Sequence, residues 1–469
     1  MTQQNLSAVS EPLVHELTPA PDVETAFRAL AGRPHCVLLD SALRHAELGR
    51  YSFLMADPLD YLECGRDVAD PLSVVEQRHR QYAAKTVDGL PPFQGGAAGL
   101  LSYDLGSCLE TVPSPRYDEF QLPLAAIGWY DIVLAWDHAQ DRAWLISHGW
   151  PAQDATARNH RAQHRIDEFR SWLGEPGGRG THRASADNRD DSDAAQQELR
   201  PPKLTLSVDQ LCPQFPMPQL PKLTSNFSQE DYLRAAQQAI DYIYAGDVFQ
   251  VNLAQRLLYP DDGDSVGLYL RLRNRNPATF AGFLSGSNFQ LASASPERFI
   301  QLQGDTIETR PIKGTRHRNP LPEADLFTGD ELQASEKDRA ENVMIVDLLR
   351  NDLSRVCRAD SVRVRELCRL EVYQTVQHLV SVVEGRLDAR ATPFDVLRCS
   401  FPGGSITGAP KVRAMEIISE LEPTARGAYC GSMGYIGFDG AMDWNILIRT
   451  ITIAHGWCQL PVGGGIVAQ

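Results

Sequence analysis

The alternation of apolar and polar positions divides the chain into segments of two periods. From Cys36 to about Trp172, short apolar runs such as Val37-Leu38-Leu39 and Ile132-Val133-Leu134 are separated by turns, with one amphipathic segment near Thr156 to Leu173. Short runs bounded by turns read as strands and the longer segment as a helix, together a first α/β unit. Phe227 then precedes Ser228-Gln229-Glu230-Asp231, and Tyr232, Ala235, Ala236, Ala239, Ile240 and Ile243 recur before Gly246. A capping-box pattern, an apolar stripe at helical spacing and a glycine stop predict a helix there. Phe249, Val251 and Leu253 alternate with Gln250, Asn252 and Ala254, which predicts a strand with one apolar and one more polar face. Phe438-Asp439-Gly440-Ala441 predicts a hairpin. The segment after it, Trp444 to Ile453, is apolar on both faces except for Asn445, Arg449 and threonines, so it reads as a central strand. Hairpins alternating with long helices, without a repeat of fixed period, predict an α+β fold of antiparallel sheets covered by helices.

Composition changes this picture at one place. Between Gly174 and Lys203 the chain is rich in Gly, Pro, Arg, Asp and Ser, with Leu199 its single large aliphatic residue. Such a stretch cannot bury enough surface to offset its ordering entropy and is expected to be a flexible insertion, followed by a Pro-rich strap from Leu204 to Leu223. The expected organisation is a unit over 1–173, the insertion and strap over 174–223, and a second unit over 224–469. With 43% hydrophobic and 22% charged residues in 469, the whole is an ordinary globular chain. Lys and Arg number 45 against 60 Asp and Glu, a formal charge of -15. That excess repels nucleic acid and anionic membrane, but leaves room for a small anion at local positive groups. Nine cysteines without a C-x-x-C pair read as reduced thiols, not as a disulfide framework or zinc site. Met1 to Pro19 lacks a basic stretch followed by an apolar run, and no apolar segment is long enough for a bilayer. The expected location is the cytoplasm.

Several residues could carry chemistry. Arg449, inside an otherwise apolar strand, needs an anion or an internal salt bridge. Gly463-Gly464-Gly465 follows it and leaves backbone amides open to an anionic ligand. The loop from Phe401 to Lys411, FPGGSITGAPK, resembles a phosphate loop but lacks its spacing, because Ala409-Pro410 separates Gly408 from Lys411. It reads equally as a tight loop before a helix from Val412 to Leu421, whose start offers free N–H groups. Asp338 and Glu341 share a helix face and could meet a divalent cation, although Ser335-Glu336-Lys337-Asp338 is itself a capping pattern. Lys313, flanked by Arg310 and Arg316, becomes a nucleophile only if its pKa falls. Glu297, in Ser295-Pro296-Glu297-Arg298, sits at a break between apolar runs.

Taken in order, Gly246 to Leu253, Ala294 to Phe299, PIKGT at 311–315, AENVMIVDLLRNDLSR at 340–355, FPGGSITGAPKVRAMEII at 401–418 and GGGIVA at 463–468 are similar to the chorismate-utilising enzymes. The resemblance is specific over Phe227 to Ala468 and weaker before it. It implies two packed antiparallel sheets flanked by helices, and a dicarboxylate substrate, chorismate. It implies Arg449 as clamp for one carboxylate, with Tyr429 and the amides of Gly463 and Gly465 beside it. It also implies Glu341, with Asp338 behind it, as the acidic pair for Mg2+. Thr315 and His378 match further active-site positions. Isochorismate and salicylate synthases have lysine where this chain has Gln250, and anthranilate synthases have alanine at the position of Lys313. Gln250 with Lys313 therefore resembles the aminodeoxychorismate-forming branch, in which the lysine attacks C2 of chorismate and Glu297 protonates the departing C4 hydroxyl. An anthranilate-forming component, or a non-catalytic subunit that binds an amidotransferase, are the alternatives. No G-x-C-x-G elbow surrounds any cysteine, so a separate glutamine amidotransferase is expected to supply ammonia. Ser41, Tyr51 and Ser52 lie in segments similar to a tryptophan pocket of relatives. The family continues past GGGIVA into a helix that supplies another metal-binding glutamate and a lysine, whereas this chain stops at Gln469, so a weakened metal shell is expected.

Overall fold

A computed structural model of the chain describes residues 11–45, 48–174, 205–373 and 376–468. The expected insertion, beyond Gly174, lies outside the described residues. The strap forms two short strands, Phe215–Met217 and Leu220–Ser225, at one edge of a large sheet. That first sheet runs, in spatial order, through Leu13–Leu17, Arg142–Ser147, Ile132–Asp137, Tyr51–Met55, Val37–Asp40, Phe280–Ser285, Phe289–Ser295, Thr450–Ala454, Trp457–Ile466 and Gln250–Pro260 to the strap. The second runs through Ile312–His317, Val376–Arg386, Thr306–Thr309, Arg298–Gln303, Met442–Asn445, Ser432–Gly437, Gly96–Leu101, Ala125–Tyr130 and Asp60–Cys64, with Arg363–Val372 also on Val376–Arg386.

The layers follow from side-chain alternation in strands that are buried on both faces. In the first sheet Phe283 joins Phe27, Phe169 and Tyr269 on the helix-covered outer side. Its neighbour Leu284 faces Val37, Met433 and Tyr435 in the layer between the sheets. In the second sheet Tyr435 points to that middle layer, while Ile436, Trp129 and Trp444 pack outward with Phe394 and Leu397 of helix Pro393–Ser400. The order is thus helix, sheet, sheet, helix. Each fully buried Leu or Phe contributes about 1.5–3 kcal/mol by leaving water. Phe27 adds edge contacts to Tyr269 and Phe283, with ring centroids 5.4 and 5.1 Å away.

Strands from before the insertion pair directly with strands after it, in both sheets. Leu38 lies opposite Phe283, and Gly99 opposite Gly434. The compositional boundary therefore does not divide the sheets. The predicted helix spans Gln229–Ala245, with Ser228 accepting from the Asp231 N–H and Gly246 at φ 84 ending it. The predicted hairpin joins Ser432–Gly437 to Met442–Asn445, with Ile436 opposite Met442.

Two expectations need correction. The segment Trp444 to Ile453 is not one strand: it belongs to the second sheet through Asn445 and to the first from Thr450, with Arg449 between at φ 52. It looked continuous because a strand in either sheet is covered on both faces. The strand also begins at Gln250, so Phe249, expected on its apolar face, lies just before it and is 72% exposed, whereas Gln250 and Asn252 are 1% and 6% exposed.

Burial also fixes two histidines in the neutral form. His79 Nε2 lies 3.1 Å from the Gly437 oxygen and His148 Nε2 lies 3.0 Å from the Gln94 oxygen. Desolvation lowers both to about 4 from 6.5. The unfolded chain then binds more protons than the folded one between those values, so the contribution of these two histidines to stability should fall as pH drops from about 6.5 to about 4 and level off below. Each histidine contributes on the order of 1–3 kcal/mol to that loss. Urea midpoints across this range check it, and His79→Gln and His148→Gln should each flatten the dependence.

Candidate active site

The chain crosses between the sheets twice at neighbouring points. Pro296 and Glu297 join Phe289–Ser295 of the first sheet to Arg298–Gln303 of the second, and residues 446–449 carry the chain back. The crossings hold each other: the Ile446 N–H donates to the Glu297 carbonyl at 3.0 Å, the Ala294 N–H donates to the Arg449 carbonyl at 3.1 Å, and the Ser295 hydroxyl donates to the Ile446 carbonyl. Backbone groups that leave the ladders are thereby satisfied.

Glu297 is 4% exposed and accepts from the Ser405 hydroxyl at 2.7 Å. The Lys313 Nζ donates to the Ser405 main-chain carbonyl at 2.9 Å. Burial pushes the Glu297 carboxyl up, against the Ser405 hydrogen bond and the charge of Lys313. Burial also pulls the Lys313 amine down, against Glu297 and Glu341. Both groups are driven toward their neutral forms, the states required of a general acid and a nucleophilic amine.

Lys313 reaches this point because strand Ile312–His317 slips register at Gly314, where φ is 74. A Cβ at Gly314 would stand 2.9 Å from Leu332 and 3.1 Å from Asp338, so glycine lets the strand lie directly on helix Glu336–Ser354. Thr315 lies opposite His378, with Oγ1 and Nδ1 2.8 Å apart. Burial and the Arg449 guanidinium hold His378 down at about 4, so it is neutral at pH 7. Arg449 therefore acts electrostatically on both His378 and Glu297. Its exposed guanidinium makes no ion pair among the described residues.

Gly463 and Gly465 lie opposite Ala254 and Asn252 in the ladder with Gln250–Pro260. A Cβ on Gly465 would come 2.3 Å from Gln250 Nε2, and one on Gly463 would come 2.6 Å from the Leu253 oxygen. On its other side this strand pairs with Thr450–Ala454 only as far as Gln459 among the described residues. The buried Tyr429 ring stands 5.8 Å from the Arg426 guanidinium.

The glycine loop is not a phosphate cradle. Gly403 and Gly404 face Ile446 and Leu348, and Gly408 faces the Gln250 oxygen. The helix begins at Lys411, whose ammonium is buried against Asp352 at 2.6 Å and the Ser400 oxygen at 2.8 Å. Asp338 serves the helix start, its N–H donating to Ser335 at 3.3 Å, while its carboxylate is 3.0 Å from Arg316. Glu341, half-buried on the same face, has its carboxyl pushed up by burial against Lys313 and Lys337. No three His, Cys, Asp or Glu side chains converge on a metal position among the described residues. Two carboxylates fit Mg2+ as a partial shell, since that ion keeps several waters and takes one or two carboxylates.

Arg426 and Glu422 were not singled out by sequence. Their i, i+4 spacing resembles an ordinary exposed helix pair, but both are buried. Arg426 binds Glu422 at 2.9 and 2.6 Å and donates to the carbonyls of Ile406 at 3.0 Å and Asn252 at 2.8 Å. Glu422 in turn accepts from the Ala254 N–H at 2.8 Å. One ion pair thus ties the glycine loop that carries Ser405 to strand Gln250–Pro260.

A separate cavity of about 650 Å³ is lined by Ser41 and Tyr51, together with Phe280, Met433 and Arg298. Ser52 lies behind its wall, accepting from the Ser41 N–H at 3.0 Å and donating to Asp40 at 3.2 Å. Asp40 is in turn held by Tyr269 and Arg273 at 2.9 and 2.6 Å.

With this arrangement in view, the comparisons define the class. A family model described as chorismate binding enzyme matches residues 44–469. The chain belongs to that family and is a chorismate-utilising enzyme. It is 39% identical over 460 residues to aminodeoxychorismate synthase component 1 of Escherichia coli, covering 95% of this chain and 91% of the relative. It is 38% identical over 403 residues to anthranilate synthase component 1 of Thermus thermophilus, covering 86% and 79%. The crystal structure of anthranilate synthase component I from Streptococcus pneumoniae superposes with a TM-score of 0.71 at 26% identity, covering 91% of this chain and 89% of that one. Among the described residues no helix is long and apolar enough to cross a membrane.

Glu422→Gln leaves Arg426 buried without its counter-charge and should cost about 3–5 kcal/mol, read as a lowered urea midpoint. Arg358→Ala breaks an exposed pair with Asp305 and should shift stability by less than about 1 kcal/mol.

Proposed function

We propose that the chain aminates chorismate to 4-amino-4-deoxychorismate, as the synthase subunit of a cytoplasmic two-component enzyme on the route to p-aminobenzoate and folate. A glutamine amidotransferase subunit supplies the ammonia. The observation that carries the reading is the meeting of half-buried Lys313 and buried Glu297 on Ser405. The Lys313 lone pair forms a bond to C2 of chorismate, the ring electrons shift, and the C4–O bond breaks as Glu297 protonates the leaving oxygen. Ammonia then bonds to C4 as the reverse electron shift releases Lys313.

The other residues bind and orient. Arg449 clamps one carboxylate with bidentate geometry, beside Tyr429 and the amides of Gly463 and Gly465. Thr315 and neutral His378 border the ring. Glu341 and Asp338 would hold Mg2+, which when bound supplies positive charge for the substrate's other carboxylate. Asp338 must share its carboxylate with Arg316 to do so. The cavity at Ser41 and Tyr51 suits an aromatic amino acid such as tryptophan by size and lining; Ser52 would support its wall.

Purified chain with chorismate, Mg2+ and an ammonium salt should form aminodeoxychorismate. With ammonia omitted, intact mass should show chorismate less water attached at Lys313, and Lys313→Ala should abolish both the adduct and turnover. Glu297→Gln should lower kcat about 10²–10⁴-fold. Pyruvate with a fluorescent aromatic amine would instead identify an anthranilate-forming enzyme, the activity named for the Thermus thermophilus relative. Amidotransferase binding without turnover at any Mg2+ concentration would identify a non-catalytic subunit.

A further inference from the structure

Ser405 touches both groups on which charge would develop, and it does so through different atoms. Its hydroxyl donates to Glu297 at 2.7 Å, and its carbonyl accepts from Lys313 at 2.9 Å. A hydroxyl has one proton to give, and here it goes to Glu297. The carbonyl is fixed by its loop: the Thr407 hydroxyl donates to the Gly403 carbonyl at 3.1 Å, and Arg426 holds the adjacent Ile406 carbonyl at 3.0 Å. The hydroxyl bond to Glu297 is buried and the carbonyl bond to Lys313 part-buried, so water competes least for the first.

We propose that Ser405 is a positioning residue that couples nucleophile to acid, its carbonyl steadying the ammonium that forms on Lys313 and its hydroxyl the carboxylate left on Glu297. This rests on the reading above. As the Nζ lone pair bonds to C2 and the C4 oxygen departs with the Glu297 proton as water, Lys313 gains a positive charge and Glu297 a negative one. Starting from the neutral amine and acid that the reaction requires, both Ser405 hydrogen bonds become charge-assisted in this step, which makes them about twice as strong. Interactions that strengthen as the transition state forms raise kcat rather than substrate binding.

Ser405→Ala removes the hydroxyl and leaves the carbonyl. It should lower kcat about 10–100-fold with KM for chorismate within about twofold. The charged and titratable groups facing Glu297 are Lys313, Arg449 and Cys430, and the substitution leaves them in place. Losing a donor to the carboxylate raises the Glu297 pKa, so the alkaline limb of the rate profile should move to higher pH. Ser405→Thr, which keeps the hydroxyl, should restore both kcat and limb. A Ser405→Ala enzyme with the wild-type kcat and pH profile would overturn the proposal, as would a threonine variant as impaired as alanine. Infrared titration of the Glu297 carboxyl in wild type and Ser405→Ala gives a second measure that does not need turnover. An unshifted midpoint there sinks the proposal, whereas wild-type chain that forms no Lys313 adduct sinks the reading beneath it. If the alanine variant fails to fold, Ser405→Cys, a weak donor of similar size, should show an intermediate shift.

Discussion

Two strands leave one sheet for the other side by side, and the hydrogen bonds between their crossings are the constraint on which the site depends. A strand that leaves its ladder exposes backbone donors and acceptors that must be satisfied. Here Glu297 and Ile446, and Ala294 and Arg449, satisfy each other. The residues released from strand alternation are therefore placed at a fixed depth between layers, where a side chain belongs to neither core. Glu297 is buried at one crossing, and Arg449 stands exposed at the other. The glycine loop, pinned to strand Gln250–Pro260 by the buried Arg426–Glu422 pair, closes the arrangement from the other side.

Burial has opposite consequences for neighbouring charges. Arg298, the residue after Glu297, is equally buried, yet Asp443 and Glu308 surround its guanidinium and more than offset the desolvation. That bidentate pairing holds the guanidinium charge, although burial pushes the Asp443 carboxyl up. Glu297 and Lys313 meet on a serine, and the charges of Lys313, Arg449 and Glu341 around them do not outweigh the lost water. Burial thus accompanies a charged guanidinium at one position and a carboxyl driven toward its neutral form at the next.

Local elements were legible in the chain because their signals are local. The capped helix Gln229–Ala245, the strand after it and the hairpin at Asp439-Gly440 each need only a few neighbouring residues to specify them. The motif residues of the site could be named as well, including Lys313, Glu297, Glu341 and Arg449. What could not be read was everything set by distant pairing. Leu38 opposite Phe283 leaves no periodic trace, and the break at Arg449 is hidden because both sheets are apolar on two faces. Ser405 was visible only as one letter of a glycine-rich loop. Its role depends on a carbonyl direction, which no side-chain pattern encodes. Asp338 was read both as cap and as ligand, and the structure gives its amide to the cap and its carboxylate to Arg316.

Arg449 sits in left-handed backbone at φ 52, a conformation that costs a non-glycine residue on the order of 1–2 kcal/mol. Glycine or asparagine would adopt it with less strain. A screen that rewards thermal tolerance alone would therefore drift toward those residues here and discard the guanidinium, so hardening this protein against heat and preserving the clamp proposed for Arg449 are competing demands at a single codon.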